Sequence, residues 1–215
     1  SEYLAAPVLS EPGSNIPGST HINRYEQFLR DPVFLKNMKP DFILRFGDQP
    51  FTKSLLTALD EWQEVPTLLI NSRNAWQDHA MSANFRILCR SEDSINLSDT
   101  IRKTDSSWFS QWKEAEKQAD ATLRSVLSEH QELSDGHIFY HLKSQLGDNW
   151  NVMLSNSFPA RDMALFAEAE PGQFVNRGAA GIDGIMSTGL GIHFSSDKPT
   201  CCITGDLAFL HDSNA

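Results

Sequence analysis

The chain has 215 residues, enough for one large domain or two small ones, and its 18 basic and 28 acidic residues give a formal charge of −10. That balance argues against a nucleic-acid partner, which would need a basic surface to displace counterions, but a few arginines can still make a local site for an anion. Hydrophobic residues make up 40% and charged residues 21%, which predicts a packed core and excludes disorder.

Three cysteines, Cys89, Cys201 and Cys202, show no framework spacing, so a reducing, cytoplasmic setting is predicted. No apolar stretch reaches the length of a bilayer span, and the start does not resemble a signal peptide.

In chain order, residues 10 to 20 read as a loop from their Pro, Gly and Ser content. Tyr25, Phe28 and Leu29 follow at helical spacing, and Pro40 closes that region. Phe42 to Phe46 is predicted as a buried central strand, Lys53 to Trp62 as a helix, Pro66 to Ile70 and Phe85 to Cys89 as further strands. Strands separated by helix-length segments predict βα units and a parallel sheet flanked by helices.

Trp108, Trp112, Ala115, Ala119, Leu123, Val126 and Leu127 recur at intervals of a long amphipathic helix, whose aromatic end is predicted to be core. Ser134 and Asp135 can cap a new helix that Gly147 ends, which suggests a domain boundary near residue 130. Trp150 to Leu154 then predicts a strand, Phe158 to Ala167 a helix, Phe174 to Asn176 a short strand and Ile182 to Phe194 a helix. Thr200 to Thr204 is a last strand, apolar on both faces as in the middle of a parallel sheet.

Three stretches could carry chemistry. Gly178, Gly181, Gly184, Gly189 and Gly191 are dense for a helical region, so they serve either close packing on a sheet or backbone approach to a bulky ligand. A dinucleotide fingerprint fails, because Phe194 stands where its third glycine belongs. Gly205-Asp206 follows an apolar strand; Asp206 there is either a helix cap or a ligand for a hard cation and its phosphate. Ser157 and Arg161 share a face at a helix start, where an anion is favoured and arginine adds a planar fork for a carboxylate. The plainer alternative is a cap with a surface ion pair to Asp162 or a nearby acid. His193 and His211 have no partner spacing for a metal or a nucleophilic triad.

Together, Ser155-Asn156-Ser157-Phe158-Pro159-Ala160-Arg161, the segment from Asn176-Arg177-Gly178 to Ile182-Asp183-Gly184, and Gly205-Asp206-Leu207 through Asp212 resemble the thiamine-diphosphate-dependent synthases of 2-succinyl-5-enolpyruvyl-6-hydroxy-3-cyclohexene-1-carboxylate. The resemblance is dense from about residue 150 onward; before that, Leu4 to Ser10, Phe46-Gly47 and Lys53 carry it. It implies that residues 1–130 are the middle α/β domain, lacking its first strand, and that residues 131–215 are the N-terminal half of the diphosphate-binding domain.

It further implies a transferase of menaquinone or phylloquinone biosynthesis. 2-Oxoglutarate is decarboxylated and the product carbanion equivalent adds to isochorismate, with thiamine diphosphate and Mg²⁺ or Mn²⁺ as cofactors. By resemblance, Asp206 is the metal ligand, Gly205 and Leu207 lie near the diphosphate, and Ile182 is the wedge between the two cofactor rings. Ser157, Arg161, Arg177 and Lys53 face the carboxylate substrates, although the basic residue the family often has beside the lysine is Ser54 here. The glutamate that activates the cofactor lies outside these residues, so the chain alone is expected to be inactive and its parent a homodimer or homotetramer. Two alternatives are another thiamine-diphosphate decarboxylase or carboligase, and a non-catalytic α/β binding module; Arg161 and Arg177 favour the synthase.

Overall fold

The computed structural model describes residues 5–16, 21–73, 78, 81–90, 106–130, 132–177 and 181–214. Leu4, residues 17–20 of the first loop, and Gly178 with its two alanine neighbours lie outside the described residues. The chain divides into two compact units, Ser1–Pro7 with Tyr25–Glu114 and Val8–Arg24 with Ala115–Ala215.

In the first unit, α1 (Tyr25–Phe28) and α2 (Pro32–Asn37) precede β1 (Ile43–Phe46), α3 (Lys53–Glu61), β2 (Thr67–Asn71) and β3 (Ala83–Leu88). Asp31 starts α2 by accepting the Val33 N–H at 2.9 Å, with Pro32 in the first turn, where a missing N–H costs nothing. The strands are parallel, in the order β1-β2-β3. The strand predicted at Phe42 to Phe46 therefore exists from Ile43, but it lies at an edge of this sheet, and Phe42 is exposed. β2 is the central strand, with Thr67, Leu69 and Ile70 buried. An apolar run reports burial of two faces; it does not report how many hydrogen-bonded neighbours a strand has.

The start of α4 (Ser106–Glu129), through Glu114, also belongs to this unit. Trp112 is 2% exposed and meets Phe28, Phe34 and Trp108 edge-on, with ring centroids 5.9, 5.3 and 5.8 Å away. The aromatic end of the helix is core, as its periodicity predicts.

The second unit holds the rest of α4, then α5 (Asp135–Leu146), β4 (Asn151–Leu154), α6 (Phe158–Phe166), β5 (Gln173–Val175), α7 (Ile185–Ser196), β6 (Thr200–Ile203) and α8 (Asp206–His211). Its sheet is parallel in the order β5-β4-β6. All four residues of β4 are buried, and its side chains alternate. Val152 and Leu154 pack with Phe139 of α5 and Met163 of α6, while Met153 lies under Gly189 of α7. Gly189 has a packing reason, because a Cβ there would run into the sulfur of Cys202. Gly147, at φ +80°, closes α5. The helix predicted from Ile182 begins only at Ile185, because Gly184 turns the chain at φ +72°. β6 is at the sheet edge and only half-buried, although its sequence is apolar on both faces.

From β4 the chain passes through α6 to β5 on one side, then returns through α7 to β6 on the other. The order of winding thus reverses between β4 and β6. In open α/β sheets the crevice beyond the carboxyl ends at such a reversal is where ligands bind. No helix among the described residues is long and apolar enough to cross a membrane.

Candidate functional site

The carboxyl ends of β4, β5 and β6 carry seven of the eight residues singled out by sequence. Ser155 and Asn156 follow β4 and are buried, at 1% and 5% exposed. Ser157 then takes φ +73°, a conformation that non-glycine residues rarely adopt, and occupies the cap position of α6 without a side-chain capping bond. Arg161 lies one turn into α6, its N–H bonded to the Ser157 carbonyl at 3.3 Å. Both side chains are exposed, and among the described residues Arg161 makes no ion pair. The expected alternative, a pair with Asp162, is not formed. Asp162 instead has its carboxyl raised above the usual range by burial and by Asp135, with Arg161 opposing.

Asn156 joins the ends of two strands. Its amide nitrogen donates to the Asn176 carbonyl at 2.8 Å and to the Gly181 carbonyl, and its oxygen accepts from the Arg177 guanidinium at 3.3 Å. Asn176 in turn donates to Thr188 at 3.1 Å, and Thr188 donates to the Gly184 carbonyl at 2.6 Å. One buried amide thus holds Arg177 and the start of the glycine-rich loop beside Ser157. The sequence assigns Asn156 no role of its own; the signal for one is its place inside the Ser-Asn-Ser motif.

Ile182 is half-buried in the segment that Gly184 ends. Gly205 is the cap residue of α8, and Asp206 is its first residue. Asp206 is exposed, and its Oδ1 accepts its neighbour Leu207's N–H at 2.8 Å. It therefore satisfies part of a helix start while the residue stays exposed. Beyond its chain neighbours, no atom of the described residues lies within 4 Å of a Cβ built on Gly205, so the approach to this turn is open among them. Leu207 is 70% exposed. Among the described residues no cluster of three His, Cys, Asp or Glu side chains could hold a metal. One hard carboxylate oxygen suits Mg²⁺ only where phosphate oxygens and water complete its shell.

Two further links run between these segments. Asp212, just after α8 and 8% exposed, accepts the N–H groups of Gly184 at 2.8 Å and Met186 at 2.6 Å. His211 pairs with Asp183 at 2.7 Å.

Lys53, the eighth residue, belongs to the first unit, at the start of α3. It lines a cleft of about 760 Å³ with Arg30, Lys36, Lys39, Leu35 and Trp62. Its neighbour Ser54 is buried, and both its N–H and its hydroxyl donate to Glu26, which Arg30 also contacts at 2.9 Å. The carboxylate of Glu26 thus fills the anion position at the start of α3. The serine that stands where the family often has a basic residue has an internal structural partner.

No family model matches the chain. Over 226 residues, 100% of the chain, it is 30% identical to the 2-succinyl-5-enolpyruvyl-6-hydroxy-3-cyclohexene-1-carboxylate synthase of Bacillus pumilus. It is 32% identical to the proteins of that name from Desulfitobacterium hafniense and Gloeothece citriformis, over 99% and 100% of its length. The chain spans 38%, 39% and 38% of the length of these three relatives, respectively.

Proposed function

Since this chain belongs, over its whole length, to the 2-succinyl-5-enolpyruvyl-6-hydroxy-3-cyclohexene-1-carboxylate synthase family, we propose that the protein carrying it condenses 2-oxoglutarate with isochorismate, releasing carbon dioxide, in menaquinone or phylloquinone biosynthesis. Thiamine diphosphate, held with Mg²⁺ or Mn²⁺, supplies the electron sink for decarboxylation and the carbanion equivalent for addition. On this reading residues 1–130 are a middle domain and residues 131–215 the first half of a diphosphate-binding domain.

The observation that carries the proposal is the rim after β4, β5 and β6, where Ser157, Arg161 and Arg177 stand at the same sheet end as Asp206. Two arginines are more than a simple cofactor site needs, and they match a substrate pair rich in carboxylates. In this role Arg161 and Arg177 fork onto substrate carboxylates, and Ser157 adds a hydroxyl beside the start of α6. Ser157's left-handed backbone also fits a functional assignment, since such a conformation costs about 1–3 kcal/mol and persists where its surroundings impose it. Asp206 provides the protein carboxylate for the cation, Gly205 leaves room for the diphosphate, and Ile182 offers an apolar surface to the cofactor rings. Holding the reactants in register at this rim is the protein's main contribution.

The test is product formation by the whole protein from 2-oxoglutarate and isochorismate, with thiamine diphosphate and Mg²⁺ each present or omitted. The expected product requires all four. Decarboxylation of pyruvate in preference to 2-oxoglutarate would instead assign a different carboligase.

A further inference from the structure

We infer that Asp212 is a positioning residue that sets the Ile182 segment against the helix beginning at Asp206, so that one short rod fixes both ends of the same ligand. The inference rests on the assignment of Ile182 and Asp206 to a thiamine-diphosphate site.

α8 runs only from Asp206 to His211, and Asp212 is its closing residue, with its N–H on the Ala208 carbonyl at 3.0 Å. At the rise of an α-helix the two aspartates are about 9 Å apart along the axis. One carboxylate is exposed at the start of α8; the other is buried at its end and bonded to the Gly184 and Met186 N–H groups. Those groups open α7, so the Asp212 charge also meets the positive end of that helix.

Gly184 is the turn that ends the Ile182 segment, at φ +72°. His211 grips the same segment from outside through Asp183 at 2.7 Å. Asn156 holds its other end through the Gly181 carbonyl. Ile182 therefore sits between two anchors, and the Asp212 anchor is built on the same six-residue helix that carries Asp206. Shifting Asp212 moves the apolar wedge relative to the carboxylate that takes the cation.

A cap that merely stabilised α7 would affect every ligand alike. A positioning residue would affect only ligands that reach both ends. The probes are thiamine diphosphate with Mg²⁺, which reaches both, and inorganic pyrophosphate with Mg²⁺, which reaches only the Asp206 end. Calorimetric titration of the whole protein that carries this chain gives both dissociation constants without reliance on turnover.

In Asp212→Asn, the thiamine diphosphate constant is expected to rise about tenfold, the loss of one charge-assisted bond, while the Mg-pyrophosphate constant stays within about twofold of native. Combining it with Ile182→Ala should add little to either single change, because both act through one contact. Should Asp212→Asn not fold, Asp183→Asn breaks the exposed link to His211 and should show the same split at smaller size. Equal weakening of both probes, or no change in either, overturns the inference. In Asp206→Asn both probes should weaken; if they bind as in the native protein, the cofactor-site reading itself has failed, and the inference with it.

Discussion

Arg161 stands exposed one turn into α6 with no ion pair among the described residues, beside a Ser157 whose backbone is held in a left-handed conformation. A long cation left unpaired at a helix start is available to an anionic ligand. If the whole protein is the proposed synthase, Arg161→Ala should raise its KM for a carboxylate substrate, at a cost of about 1.5–3 kcal/mol, the range for a hydrogen bond to a charged group. Steady-state kinetics with each substrate varied in turn checks this; unchanged constants for both would return Arg161 to the general surface. A second single-residue argument concerns Gly189, where a Cβ would meet the sulfur of Cys202. Gly189→Ala should lower stability by about 1–3 kcal/mol through overpacking, despite alanine's better helix propensity. Adding Cys202→Ala should recover most of that loss, and urea denaturation of the four proteins closes the cycle.

At the level of elements, long periodic patterns were legible and short contextual ones were not. The stripe from Trp108 to Leu127 specified α4, because a helix of that length repeats its signal many times. Gly147 marked the end of α5 by its own chemistry, whereas Ser134 stands at the cap position without a side-chain capping bond, its hydroxyl meeting the His137 ring at 2.8 Å. The start of α7 was misread because Ile182 continues the apolar pattern while Gly184 turns the backbone away from helix. The edge position of β1 was hidden for the reason that neighbours in a sheet come from distant sequence, as Ile43 opposite Thr67 does. The same holds for the proposed site: Arg161 and Asp206 are proposed from local motifs, whereas the bonds of Asn156 and Asp212 reach residues more than twenty positions away. β6 yields a pH-dependent expectation. Burial pushes the thiols of both Cys201 and Cys202 up from the ordinary range, and for Cys202 the neighbouring Cys201 adds to it. A raised pKa lowers the thiolate share at any pH beneath it, and the thiolate is the nucleophile. Iodoacetamide should therefore modify both thiols slowly in the folded chain near neutral pH, faster as the pH climbs past the usual thiol range, and at ordinary rates in urea. Equal rates for folded and unfolded chains at pH 8 would contradict this.

For the molecule as a whole, the donor set limits what residues 1–215 can bind by themselves. Asp206 is an isolated carboxylate, with no three-residue metal cluster among the described residues, and Mg²⁺ gives up its water reluctantly. Titration of the isolated 215-residue chain with thiamine diphosphate and Mg²⁺ should give no saturable heat in the micromolar range; micromolar binding would mean that the ligands lie elsewhere in the chain. The winding of the second sheet also sets an order of assembly in time. β4 meets β5 by closing the short loop from Val152 to Gln173, but it meets β6 only by closing the longer one from Asn151 to Thr200. Each doubling of loop length adds about 0.6 kcal/mol to the entropy of closure, so contact with β5 is favoured first. Pulse-labelled hydrogen exchange during refolding should find the Val152 amide, which bonds to the Gly172 carbonyl on the β5 side, protected before that of Ser155, which bonds to the Ile203 carbonyl of β6. The turn bearing Asp206 then forms after the segments that carry Arg161 and Arg177, so a newly made chain gains the carboxylate proposed for the cation only once both arginines are in place.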